Sequence, residues 1–103
     1  MVTKMVRLGR FEIDHYLIEH DPKLVLAIMS KMIIVKADYQ VDTQRIEYIA
    51  YSDLFDEVPY LSRVPKYEVF VHVSNGTCTV SGIWTPIGPN YTTPEVTVKR
   101  VPN

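Results

Sequence analysis

The sequence predicts an α+β domain: a mainly antiparallel sheet of about five strands with one helix packed on it. Three stretches support this. At 66–84 two alternating segments flank Asn75-Gly76, a pair that tolerates the positive φ of a two-residue type I′ turn. At Asp21-Pro22 an N-cap acid is followed by the residue best suited to the first helical position, and an apolar run continues from it. At Arg45–Tyr51 apolar and polar residues alternate with the period of a half-buried strand.

Taken in order, Met1 to Arg10 has no clear period and reads as a loose or weakly paired arm. Phe11 to Glu19 alternates Phe11, Ile13, His15 and Leu17 with Glu12, Asp14 and Tyr16, which predicts a strand. From Pro22 to about Lys31 the stripe Leu24, Ile28 and Met32, with Val25 and Met29 beside it, predicts a helix lying across a sheet; only Lys23, Ser30 and Lys31 are left to water. The β-branched run Ile33-Ile34-Val35 favours a return to strand, and Val41 to Gln44 has hairpin length. In Ser52 to Val58, Leu54 and Phe55 should tuck inward beneath a short capped turn while Asp53, Asp56 and Glu57 face water.

Pro59 and Pro65 bracket a loop ahead of the hairpin. Counted outward from Asn75-Gly76, Val73 faces Cys78, Val71 faces Val80, Phe70 faces Ser81 and Glu68 faces Ile83. The three prolines of 85–94 interrupt any strand, and Val96 to Val101 alternates well enough for a short edge strand.

The chain has 103 residues, of which 47% are hydrophobic, so one domain with its own core is expected and two are not. A formal charge of −1 exerts no general pull on nucleic acid or anionic membrane. The charge is unevenly spread: Lys4, Arg7 and Arg10 make the start basic, and Asp38 to Glu57 holds six acids against Arg45. A lone cysteine, Cys78, allows no disulfide within the chain. No stretch approaches the ~18 apolar residues of a membrane span. A cytoplasmic location is the expectation.

Metal binding requires convergent ligands, and the candidates are His15, His20, His72 and Cys78. The hairpin register sets His72 and Cys78 on opposite faces, and no base is placed beside Cys78 to activate it. No metal site, cofactor or catalytic set is therefore expected. Base stacking by tyrosines 39, 48, 51, 60 and 67 is disfavoured by the acids around them. As protein-interface anchors the same residues bring large contact area at low entropic cost, and acidic neighbours select a partner with a basic surface.

The segment Ile46-Glu-Tyr-Ile-Ala-Tyr-Ser-Asp-Leu-Phe-Asp-Glu-Val-Pro59, with Pro65-Lys-Tyr-Glu68, resembles a pattern in small proteins of bacteriophages and mobile elements. The resemblance implies a non-enzymatic binding protein that blocks a bacterial host or defence protein, in the manner of an anti-CRISPR. The expected partner-binding residues are Tyr48, Tyr51, Asp53, Asp56 and Glu57. The alternative is a homo-oligomeric structural protein, or one that sequesters a small ligand such as a nucleotide, with Phe70 and Ile83 as the subunit contact.

Overall fold

The computed structural model describes residues 4–73, 76–80 and 95–102. The chain runs β1 (Met5–Val6), β2 (Leu8–Asp14), α1 (His15–His20), α2 (Pro22–Met29), β3 (Ile33–Gln40), β4 (Arg45–Tyr51), β5 (Val58–Pro59), β6 (Tyr67–Val73), β7 (Gly76–Thr79) and β8 (Glu95–Arg100). The α+β class holds, but the strands divide among three antiparallel sheets: β2-β4-β3, β7-β6-β8 and the two-strand ribbon β1-β5.

A single five-strand sheet does not form because β2 and β6 meet without running alongside each other. Among the described residues a single parallel bridge joins β2 to the chain just ahead of β6, between Arg10 and Lys66, with Arg10 N–H donating to the Pro65 carbonyl at 2.9 Å. Further along, Asp14 N–H donates to the Val80 carbonyl at 3.0 Å. These two bonds satisfy donors along the outer edge of β2 and hold the second sheet against it, so the two apolar faces close on one core.

That core contains Phe11 and Ile13 from β2, Leu17 from α1, Leu24 and Ile28 from α2, Ala50 from β4, Val69 and Val71 from β6, and Val96 from β8, with Phe55, Tyr67 and Val80. Burial of each large apolar side chain contributes about 1.5–3 kcal/mol relative to exposure. β2 shows the alternation most clearly, with Gly9, Phe11 and Ile13 buried and Arg10, Glu12 and Asp14 half-buried on the other face.

The N-terminal segment is better ordered than its composition suggests. Met5 and Val6 pair with Pro59 and Val58, and a seven-residue strand begins at Leu8. The strand expected over Phe11 to Glu19 stops at Asp14, whose carboxylate accepts the Tyr16 N–H at 2.8 Å and caps a second helix. Asp21 ends α1 and opens α2, and Pro22 takes the first helical position as the sequence indicates. Leu24 and Ile28 are fully buried, but Leu26 is exposed along with Lys23 and Ser30, so the apolar run exceeds the width of the face that the core covers.

The expected hairpin is present over the described strands β6 and β7 and changes register. Val73 pairs with Gly76, His72 with Thr77, Val71 with Cys78 and Phe70 with Thr79, a shift of two residues along the second strand. A two-residue shift preserves the parity of the strand pairing, so hydrophobic patterning does not discriminate between the registers. In the observed register His72 lies between Thr77 and Thr97, with Nδ1 3.0 Å from one hydroxyl and Nε2 2.8 Å from the other. The expected register also sets a threonine, Thr79, opposite His72, so this contact does not select between them. Asn75, Ile83 and the proline-rich stretch 85–94 lie outside the described residues.

Candidate functional site

The acidic turn is positioned by residues on both sides of the fold. Ser52 is buried; its hydroxyl donates to the Lys31 carbonyl at 2.7 Å and accepts the Leu54 N–H at 3.2 Å, while its own N–H reaches the Arg7 carbonyl at 3.1 Å. Phe55 enters the core and stacks on Tyr67 with ring centroids 4.6 Å apart. The Phe55 carbonyl accepts from Arg7 Nη1 at 2.9 Å, and the Asp56 N–H donates to the Tyr67 hydroxyl, also at 2.9 Å. Val58 then joins the ribbon with Val6. A turn held by one buried ring and several hydrogen bonds leaves Asp53, Asp56 and Glu57 exposed, as the sequence predicts.

Tertiary structure redistributes the charge of the acidic segment. Glu47 faces Arg10 at 3.7 Å and Asp38 faces Lys36 at 3.2 Å. Glu12, directly opposite Glu47 on β2, is held between Arg45 and Lys66, each 3.5 Å away, which offsets the repulsion of two facing carboxylates. Asp56 approaches Arg100 at 3.8 Å, but both groups are exposed and solvent screens the pair. Among the described residues Asp53 and Glu57 form no ion pair, so the turn keeps a negative field that the flanking strands have largely neutralised.

The five residues expected to bind a partner are not all on one surface. Tyr48 is half-buried beneath the sheet, opposite Phe11 and stacked on its ring at 5.5 Å; burial pushes its phenol pKa above the ordinary 10.0. Tyr51 stands three residues along the same strand and therefore faces the other way, where it is exposed. It joins Asp53 in a cleft of about 390 Å³ formed with Val6, Arg7, Lys31 and Ile33 among others. Phe70 is half-buried between Thr79 and Thr97 on the outer face of the second sheet; its proposed companion Ile83 is outside the described residues.

Of two residues beside the turn, Tyr60 is among the interface tyrosines that the sequence suggests and Leu61 is not. Tyr60 is exposed under the Lys4 ammonium, which lies 5.1 Å from its ring centroid. Leu61 is 87% exposed and has φ 68°, a left-handed backbone that costs a leucine free energy. Nothing in the local sequence marks Leu61, because neither its exposure nor its backbone angle follows from residue type.

Among the described residues no group of three His, Cys, Asp or Glu side chains is placed to share a metal ion. No helix among them is long and apolar enough to cross a membrane. Fold and site together define a small α+β protein of two packed antiparallel sheets that presents a braced acidic turn. No family model, curated protein or solved structure matches the chain.

Proposed function

We propose that this protein is a non-enzymatic binding module whose turn at 52–57 captures a protein partner with a basic surface. The observation that carries this reading is the bracing of an exposed acidic turn whose Asp53 and Glu57 have no ion-pair partner among the described residues. Preorganisation lowers the entropic cost of association, and unpaired carboxylates steer a cationic partner toward the site. Tyr51, Tyr60 and Leu61 supply exposed apolar area beside the charge, as interface anchors do. In the phage-like setting that the resemblance implies, the partner is a host or defence protein and capture inhibits it.

Small-ligand sequestration would use the cleft beside Tyr51. The protein-binding reading is preferred because Arg7, one of the two cations lining that cleft, already directs Nη1 to the Phe55 carbonyl. The one buried polar side-chain atom without a partner among the described residues, Nδ1 of His15, belongs to no residue of the cleft lining.

The test is capture from bacterial lysate on the immobilised full chain, compared with the variant carrying Asp53→Lys, Asp56→Lys and Glu57→Lys. The variant is expected to unfold at the same temperature and to lose a partner that wild-type protein retains at low salt and releases at high salt. Capture of the same partner by the reversed turn would overturn the assignment.

A further inference from the structure

The β3 edge is apolar, exposed and complementary to itself. β3 is the terminal strand of its sheet, bonded to β4 on one side, and among the described residues no strand pairs with its other edge. Residues 33–39 are all exposed, with Ile33 at 71%, Val35 at 56% and Tyr39 at 52%. Natural proteins guard such edges with charge, because a free row of backbone donors and acceptors is a template for another strand. The charges on this edge are Lys36 and Asp38, two residues apart on one face and 3.2 Å from each other.

We propose that β3 pairs antiparallel with β3 of a second copy, about a twofold axis through Ala37. A twofold normal to the sheet keeps each side chain on its own face, so only residues of equal parity can stand opposite one another. Centred on Ala37, Lys36 of each copy faces Asp38 of the other; the register of β3 against β4 shifts between Ile34 and Lys36, so the regular pairing spans 36–38 and excludes Val35, which lies at the irregularity. Moving the axis by one residue in either direction sets Lys36 against Lys36 or Asp38 against Asp38, and facing like charges are unfavourable. The same two residues therefore admit one register and reject its neighbours. The pairing joins two three-stranded sheets into a continuous six-stranded sheet with β3 at its centre, and it leaves the acidic turn of each copy outside the contact.

The test measures molar mass by light scattering of the full chain over a concentration series reaching roughly 100 µM, the range in which a modest edge contact populates a dimer. Wild-type protein is expected to dimerise. Lys36→Asp and Asp38→Lys each place like charges opposite one another twice and should weaken the dimer roughly tenfold or more. The double variant Lys36→Asp with Asp38→Lys restores the complement and should recover dimerisation. Thermal unfolding of all three variants, measured well below the concentration at which wild type dimerises, should match wild type, because both side chains are exposed. A wild-type chain that stays monomeric throughout the series overturns the proposal. So does a dimer that tolerates either single reversal, or one that the double variant fails to recover.

Discussion

The Tyr67 hydroxyl accepts the Asp56 N–H at 2.9 Å while its ring stacks on Phe55, one residue earlier in the same turn. One side chain on β6 thus anchors the acidic turn both by packing and by a hydrogen bond. Tyr67→Phe keeps the ring and removes the acceptor, leaving an amide in a partly buried place without its partner. Denaturant unfolding should show a loss of about 1–2 kcal/mol. Amide exchange at Asp56 should accelerate by more than exchange in β4, since the turn is released before the sheet.

Gly9 makes the same region intolerant of a single added carbon. A Cβ there would lie 2.8 Å from the Tyr67 ring and 2.9 Å from two atoms of the Phe55 ring. Gly9→Ala should therefore destabilise the protein by about 1–3 kcal/mol, as overpacking does. Phe55→Ala removes two of the three contacts. The Gly9→Ala, Phe55→Ala double variant should consequently lose less than the sum of the single losses, measured by the same unfolding titration.

Asp14 decides where β2 becomes α1. Its carboxylate receives the Tyr16 N–H, so Asp14→Ala should cost about 1 kcal/mol while Asp14→Asn or Asp14→Ser retains most of the stability. Thermal melts of the three variants distinguish loss of the cap from loss of charge.

Tyr48 supplies a pH dependence at the alkaline end. Burial raises its folded-state pKa above 10.0, so the folded chain holds the phenolic proton where the unfolded chain releases it. The resulting contribution is fully present below the unfolded-state pKa and is lost as pH rises through the folded-state value. Tyr48→Phe keeps the stack on Phe11 and removes the titration. Its stability should fall less steeply than wild type above roughly pH 10, as followed by denaturant unfolding at fixed pH steps.

Legibility from sequence was greatest where one short-range pattern sufficed. β4 spans Arg45–Tyr51 and β3 starts at Ile33 because two-residue alternation and β-branching are local properties. α2 begins at Pro22 because the fixed φ of proline suits the first helical position; Asp21 stands at the N-cap without a side-chain capping hydrogen bond. α1 was hidden by a coincidence of period: Phe11, Ile13, His15 and Leu17 fit a strand, although Asp14 ends it. Helical spacing was present in the pairs His15–Glu19, with Nε2 to Oε1 2.7 Å, and Tyr16–His20, with rings 5.4 Å apart. Of the site residues, the exposure of Asp53, Asp56 and Glu57 was legible from the turn. Tyr48 was not, because a tyrosine in an alternating strand reads the same whether its ring meets Phe11 or a partner.

Sequence alone determined the α+β class, the acidic turn, the helix start at Pro22 and the hairpin around 66–80, since each rests on interactions among residues a few positions apart. Tertiary structure alone decided that β2 is joined to Lys66, just ahead of β6, by one bridge rather than to β6 along a ladder, so that two sheets pack together in place of one. It also decided which acids are neutralised and that the Tyr67 hydroxyl braces Asp56. These outcomes depend on groups brought together from distant parts of the chain, and their distances and burial are properties of the packed core rather than of any local pattern.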